Sequence, residues 1–238
     1  MPDKEKLDAL THLAGTIAHD LNNIFTAVNG NLSLLEMSFD TTNPRAGVVN
    51  DVMNTARRGL ELSEKLQAFA GRQRLQRTRL DLNQIAAAAV AGLKQTLLRD
   101  MDVELELSQD GLWISSDAEK LQHVIEELAK NAVAAMAGSD QIPGWMIVMT
   151  DCQEVAPGQA DSLPAGEYAV LSVKDAGEGM TPDVARRALD PLFSTRPGHH
   201  GWGLARCAGF VRQCGGTILL DSTPGKGTTV AIYLPLAR

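Results

Sequence analysis

Apolar residues recur at alternating spacings of three and four near the N-terminus, at Leu7, Leu10, Ala14, Ile17, Leu21, Ile24 and Val28. That spacing is the seam of a helix bundle or coiled coil, and it predicts one long helix over residues 5–37. Turn chemistry then interrupts the period in "SFDTTNPRAG" (38–47), through Asn43-Pro44 and Gly47. A second seam follows, with Val48, Val52, Leu62, Leu66 and Phe69 as its apolar members and Thr55 and Gly59 as small interruptions. Residues 5–72 therefore read as a helical hairpin. Two helices cannot enclose their own apolar faces, so the hairpin is expected to dimerise into a four-helix bundle.

From about residue 79 the pattern changes. "LDLNQIAAAAVAGLKQTLL" (80–98) reads as a helix, and "DVELELS" (102–108) and "LWIS" (112–115) read as strands. Ser116-Asp117-Ala118-Glu119 resembles a capping box that opens a helix running to about Ala137. Strands are expected at 145–151 and 167–174, helices near 181–188 and 203–214, and a final hairpin pairing "GTILLDS" (216–222) with "TTVAIYLPL" (228–236). The fold class is α+β: a helical hairpin over residues 1–75, then a sandwich of helices on a mainly antiparallel sheet over 79–238. The basic run "GRQRLQRTR" (71–79) reads as a solvated segment between the two.

A formal charge of -7 gives no general attraction to nucleic acid or anionic membrane, so neither is expected as a partner. Three cysteines, Cys152, Cys207 and Cys214, fit no zinc spacing, and their odd number argues against a disulfide framework, which suits a cytoplasmic setting. No apolar run is long enough to span a bilayer, and "MPDKEKLDAL" is charged rather than signal-like.

Candidate chemistry begins in "GTIAHDLNNIF" (15–25). His19 lies off the seam on the outermost face, with Asn23 one turn further along and Asp20 beside it, so the cluster is expected to face water. Alone it is adequately explained as solvated surface. Four further stretches carry weaker signals. In "EELAKNAVAAM" (126–136), Glu127 and Asn131 share a helix face opposite Val124, Ile125 and Leu128, and an Asn carbonyl is a good Mg²⁺ ligand. In "VKDAGEGM" (173–180), Gly177 and Gly179 permit close backbone approach, and Asp175 can accept a hydrogen bond from an exocyclic amino group. "DPLFSTRPGHHGWGLA" (190–205) ends at a helix N-terminus where the N–H groups of Gly201, Trp202, Gly203 and Leu204 would face phosphate oxygens. "TPGKGTTV" (223–230) is a glycine turn between strands. Each has a plain structural explanation, and none is a P-loop.

Together, and in this order, the motifs resemble the catalytic core of bacterial two-component sensor histidine kinases. "AHDLNN" resembles the phosphoacceptor histidine box, "ELAKNAVAAM" the Asn box, "DAGEGM" the first glycine box, "DPLFSTR" the phenylalanine box, "GWGLA" the second glycine box and "GKGT" the last. The resemblance covers nearly the whole chain. It implies a Bergerat-type nucleotide fold behind a dimerisation and phosphotransfer hairpin, with ATP and Mg²⁺ as cofactors and a response-regulator receiver domain as partner. It also implies roles for individual residues. His19 would be the nucleophile, Asp20 would accept the proton of its other ring nitrogen, and Asn23 would orient water for receiver dephosphorylation. Asn131 and Glu127 would serve the metal. Lys130, Asp175, Gly177, Gly179, Met180, Phe193, Thr195, Gly201, Trp202, Gly203, Leu204, Gly227 and Thr228 would line the nucleotide.

The chain departs from the family pattern in two places. Glu127 stands where many such kinases carry Asn, and the second glycine box reads His199-His200-Gly201-Trp202-Gly203-Leu204, with one glycine missing. The segment from Arg196 to Gly201 is short for an ATP lid. Adjacent His199 and His200 point apart and lack a carboxylate or cysteine set, so no metal is assigned to them. His12 reads as surface, His123 as a structural residue of the core, and Trp113 and Trp145 as packing residues. Two alternatives accompany the kinase reading: a phosphotransfer or scaffold protein that no longer binds ATP productively, and a gyrase-like ATPase or serine kinase.

Overall fold

The computed structural model describes residues 2–37, 46–71, 74–99, 101–137, 144–156, 163–196 and 201–237, with side chains in the N-terminal helices described from Leu13 to Glu36 and from Gly47 onward. The chain divides into two compact units, Met1–Gln73 and Arg74–Arg238.

The first unit is built from α1 (Pro2–Met37) and α2 (Ala46–Phe69). They run antiparallel: Ala18 meets Ser63, while Phe25, further along α1, meets Gly59, earlier in α2. Ser63 is fully buried, and its Oγ donates to the Ala18 carbonyl at 2.5 Å. A Cβ on Gly59 would lie 2.2 Å from the Phe25 ring, so the glycine is the socket into which that ring fits.

The face that closes the hairpin follows the expected seam only in part: Phe69 is buried and Ala14, Leu21, Val28 and Leu66 are half-buried as expected, but the face also takes in neighbouring positions. On α1 it comprises Gly15, Ala18, Asn22 and Phe25, and on α2 Val49, Met53, Ala56 and Ser63. Ile17, Ile24, Val48, Val52 and Leu62, all assigned to the seam, are exposed on the single chain. Gly15, Ala18, Gly59 and Ser63 let the two helices approach closely around Phe25 and Met53, and these five aliphatic residues are turned outward. Side chains of Leu7, Leu10 and His12 lie outside those described.

The second unit is a sheet covered on one face by helices. Its elements are β1 (Thr78–Asp81), α3 (Leu82–Lys94), β2 (Asp102–Glu106), β3 (Trp113–Ser116), α4 (Ala118–Met136), β4 (Trp145–Val155), β5 (Gly166–Asp175), α5 (Pro182–Arg187), α6 (Gly203–Gln213), β6 (Thr217–Thr223) and β7 (Gly227–Pro235). The five-stranded sheet has the order β2-β4-β5-β7-β6; β2 pairs parallel with β4 and the other pairs are antiparallel. Strands β1 and β3 form a separate antiparallel pair.

The core lies between the sheet and α3, α4 and α6. Leu82 and Val90 of α3, Leu121, Ile125 and Leu128 of α4, and Phe210 and Val211 of α6 pack with Met146, Val148, Leu171, Val173, Ile232 and Leu234 of the sheet. The β4 and β7 positions alternate inward as period-two strands require. Central β5 is buried on both faces, because Tyr168 and Val170 join Val155 and Leu163 in a smaller cluster on the far side.

Several sequence expectations are corrected here. The helix expected from Leu80 begins two residues later: Leu80 and Asp81 belong to the strand Thr78–Asp81, and the helix runs from Leu82 to Lys94 rather than to 98. Asp81 explains the switch, since its carboxylate caps α3 by accepting from the Asn83 N–H at 3.0 Å. The α4 cap is Asp117 rather than Ser116; its side chain accepts from Lys120 N at 3.1 Å and from Gln76 N at 2.8 Å. The basic run is therefore docked at its end rather than solvated throughout. Leu75 packs on the core, Arg77 donates to the Gln213 carbonyl, and Arg79 stacks over Trp113 at 4.7 Å. Trp113 is correspondingly on the surface, and Trp145 is half-buried beneath Lys174. His123 is also exposed, standing between Glu119 and Glu126, because it falls on the face of α4 opposite Leu121 and Ile125.

The socket at Gly59 gives a direct test of the hairpin packing. Gly59→Val is expected to lower stability by about 1–3 kcal/mol through overpacking, measured by denaturant unfolding. In a Phe25→Ala background most of that additional loss should vanish.

Candidate functional site

Two clusters of chemistry emerge, one in each unit. On α1, His19 is 72% exposed, and its Nδ1 lies 3.4 Å from Asp20 Oδ1 and 3.4 Å from Asn23 Nδ2. An ionised Asp20 can only accept, so it favours the tautomer with the proton on Nδ1. The Asn23 amide suits the same tautomer once its oxygen and nitrogen are exchanged, an assignment that rests on the hydrogen-bond network. The ring nitrogen left without a described partner is then Nε2, which carries the lone pair.

In the second unit, the strand and helix ends converge. Asp175 ends β5 on its inner face, in register with Thr228 at the start of β7. Its Oδ1 accepts from Gly177 N at 2.8 Å and Thr228 N at 3.3 Å. The loop beyond it is held on both sides: Glu178 N donates to the Ala135 carbonyl at the end of α4, and Gly225 N donates to the Glu178 carbonyl. Gly179, at φ +67, has the Thr223 carbonyl 2.1 Å from where a Cβ would sit, and at Gly227, at φ +93, the Asp175 carbonyl is 1.9 Å away. These glycines are thus needed for close contact between the protein's own strands and loops. Met180 N donates to Ser222 Oγ, which also meets the Thr228 hydroxyl at 2.8 Å.

The Asn-containing face of α4 meets the N-terminus of α6. A Cβ on Gly203 would be 3.0 Å from Glu127 Oε2 and 3.8 Å from Asn131 Nδ2, so the α6 N-terminus lies directly against these two side chains. Trp202 precedes α6 and is buried, and among the described residues no side chain caps that helix. Its first N–H groups therefore carry the positive end of the helix dipole without a side-chain acceptor. Glu127 is paired with Lys130 at 3.0 Å and with Arg206 at 3.8 Å. The Asn131 amide nitrogen is buried and has no hydrogen-bond partner among the described residues.

Residues 116–238 match the family of histidine kinase-, DNA gyrase B- and HSP90-like ATPases. The chain belongs to that family. Among its relatives, sensor kinase CckA of Brucella abortus is 32% identical over 99% of this chain and 25% of its own length. Sporulation kinase A of Bacillus subtilis is 28% identical over 99% of this chain and 36% of its own length. The chain thus spans between a quarter and about half the length of such curated relatives. The crystal structure of full-length ShkA in complex with AMPPNP shares the fold, with a TM-score of 0.61 at 20% identity, over 95% of this chain and 46% of that one. The α+β Bergerat fold with N-terminal helices, and the likeness to sensor histidine kinase cores, therefore hold for this chain.

In this ATPase-family unit the sequence-derived residues fall into three groups. Glu127, Asn131, Lys130 and Gly203 are together, and so are Asp175, Gly177, Thr228, Gly227, Gly179 and Met180. The third group surrounds the Phe box. Leu192 N donates to the Gly201 carbonyl, and a Cβ on Gly201 would lie 2.5 Å from Phe193 backbone atoms, so the ends of this segment are pinched together. The Phe193 ring lies under Arg187 at 4.1 Å, Thr195 is exposed, and Leu204 packs on the core. His199 and His200 lie outside the described residues. Among the described residues, no three His, Cys, Asp or Glu side chains are grouped to hold a metal, and no helix is long and apolar enough to cross a membrane.

Sequence reasoning passed over Arg196, Glu178 and Arg206. Arg196 donates to the Asn131 backbone carbonyl at 3.4 Å and pairs with Glu178 at 3.5 Å. The first two sat inside the quoted boxes "DPLFSTR" and "DAGEGM", but a charge in a loop gives no local signal of what it faces. Arg206 needed only its position, one turn after Gly203 on the face toward α4.

Burial holds the Asp175 carboxyl above its ordinary value of 3.8, against the opposing pull of the Gly177 and Thr228 N–H groups and the Arg196 charge. A raised folded-state pKa means that stability linked to this group is full below the unfolded value and is lost as pH rises through the folded one. Asp175→Asn is therefore expected to raise Tm at about pH 7, with the gain shrinking as the pH is lowered toward about 4. Thermal unfolding across that range checks the sign, and a gain that grows on acidification contradicts it.

Proposed function

We propose that this chain is the core of a sensor histidine kinase, in which the second unit binds ATP and His19 receives its γ-phosphoryl group before passing it to a receiver-domain aspartate. The observation that carries the reading is the exposed His19 with Asp20 at Nδ1. Holding the proton on Nδ1 leaves Nε2 as the nucleophile, and the Asp20 charge stabilises the imidazolium that forms as Nε2 attacks. The P–O bond to the leaving ADP breaks as the N–P bond forms.

The second unit supplies binding and positioning. Asp175 accepts from the adenine amino group, with Gly177, Gly179, Met180 and Thr228 framing the base, and Gly227 keeping the strands close enough to do so. The uncapped α6 N-terminus, at Gly201, Trp202, Gly203 and Leu204, offers N–H groups to the phosphates. Lys130, Phe193 and Thr195 complete the lining. The orphaned buried amide of Asn131 fits a ligand that arrives with the nucleotide, and Mg²⁺ takes few protein donors, completing its shell with water and phosphate oxygens. Asn131 and Glu127 would hold the ion, which when bound neutralises charge on the phosphates.

The exposed row of Leu13, Ile17, Ile24, Val48, Val52 and Leu62 supports dimerisation into a four-helix bundle, because a second copy would cover aliphatic surface that the single hairpin leaves in water. Asn23, one turn from His19, is assigned to orienting the water that dephosphorylates the receiver. A cytoplasmic setting belongs to the same reading.

Incubation with labelled Mg-ATP should give acid-labile, alkali-stable phosphate on the wild-type chain and none on His19→Gln. ATP turnover persisting unchanged in that variant would favour a plain ATPase instead. A profile of candidate receiver domains should then reveal one that is phosphorylated far faster than the others. Against that receiver, Asn23→Ala should slow dephosphorylation about a hundredfold, within the usual range for a positioned polar group, with a smaller loss in autophosphorylation.

A further inference from the structure

Ser63 makes a bond that a serine inside a helix does not ordinarily make. A hydroxyl in mid-helix usually turns back to the carbonyl four residues earlier on its own helix, and Thr55 of the same α2 does so, donating to the Asp51 carbonyl at 2.9 Å. Ser63 instead crosses to α1, where its Oγ donates to the Ala18 carbonyl at 2.5 Å. Both residues are 0% exposed, so no water stands ready to replace either partner. The carbonyl that Ser63 takes belongs to the residue directly before His19.

The surface around that bond gives it its weight. Gly15 and Ala18 on α1 and Gly59 on α2 let the helices approach, but residues this small offer few projections to fix how one helix is rotated about its axis against the other. Two contacts do fix it, and both come from one face of α2, since Gly59 and Ser63 are one turn apart. Gly59 receives the Phe25 ring, and Ser63 holds Ala18. Between these anchors His19, Asp20 and Asn23 face water. The ring fits by shape and can act as a pivot, whereas a hydrogen bond has direction. The hydroxyl therefore sets the rotation at which His19 leaves the helix surface.

We infer that Ser63 is a positioning residue for His19, tying the turn that carries the imidazole to α2 so that Nε2 meets the phosphoryl donor in line. Ser63 acts through the α1 backbone and not on the reacting atoms. This role rests on the kinase reading above and adds to it a residue outside every sequence box. Loss of the hydroxyl leaves the nucleotide site and the imidazole intact and spoils only their approach, so it lowers turnover and not ATP affinity.

The test is autophosphorylation of the full chain over a range of labelled Mg-ATP concentrations, beside phosphorylation by phosphoramidate. That small donor reaches an exposed imidazole from solution: its P–N bond breaks as the new N–P bond forms at Nε2, and ammonia leaves. Ser63→Ala should lower kcat about tenfold, on the scale of a misplaced reactant, with KM for ATP and the phosphoramidate rate unchanged. Ser63→Cys, close in volume but a weak donor, should lose as much, and it keeps the test decisive if the alanine variant does not fold. Val49→Ala removes buried apolar volume from the same hairpin face roughly 20 Å away along α2, and it should lose stability while keeping kcat. A kcat that survives in either Ser63 variant overturns the inference, as does a loss shared by phosphoramidate or by Val49→Ala. Wild-type chain that takes no phosphate from ATP onto His19 overturns this and the kinase reading together. Wild-type activity with silent Ser63 variants overturns this alone.

Discussion

The carboxylate of Asp175 joins segments that lie far apart in sequence. It closes β5, faces Thr228 across the sheet, and accepts the N–H groups of Gly177 and Thr228 through one oxygen. Leaving buried N–H groups without an acceptor costs about 1–3 kcal/mol each, so the loop after β5 and the start of β7 depend on this side chain for their conformation. The same burial opposes its charge.

A second constraint works through space rather than charge. Gly203 lets α6 start against Glu127 and Asn131, and Gly227 and Gly179 let the final hairpin lie against the β5 loop. At Gly227 and Gly179 a methyl group would run into backbone, which fixes the Asp loop against the final hairpin, while at Gly203 it would press only on the Glu127 side chain. Among the described residues the polar groups that result are incompletely paired: a helix end without a side-chain cap, a buried amide nitrogen without a partner, and long arginine contacts. Such groups are costly in a closed core, and they cluster on one side of this unit.

Much of this was legible in the sequence because the elements carry strong periods. The helices and the strands of the last hairpin follow directly from apolar spacing, and the boxes could be ordered along them. What failed was register and context. The hairpin seam holds at Phe69 and in part at Ala14, Leu21, Val28 and Leu66, but period analysis weighs hydrophobicity and so misses Gly15, Ala18 and Gly59, which join the face by size. The short strand at Thr78–Asp81 was hidden by a good helix sequence directly behind it, and only the partner strand β3 reveals it. His123 was taken for a core residue although it lies a single helical step from the buried stripe. Arg196 and Glu178 were invisible for another reason: their meaning lies in a long-range pair, which no local pattern encodes.

The charge arrangement of the site explains how it can be both stable and receptive. Glu127 is paired with Lys130 and Arg206, and Glu178 with Arg196, so the cations on this side already have anionic partners. Partly exposed pairs of this kind are worth about 0–1 kcal/mol, enough to bias side-chain positions but little enough to be exchanged. Glu178, half-exposed, is the more readily rearranged of the two, and Glu127, 24% exposed, is held between two cations. Asp175 differs because its carboxylate is buried and bonded to backbone, so it stays where it is. The acids on this side thus divide by burial: Asp175 is fixed by backbone N–H groups, while Glu127 and Glu178 are held only by side-chain ion pairs.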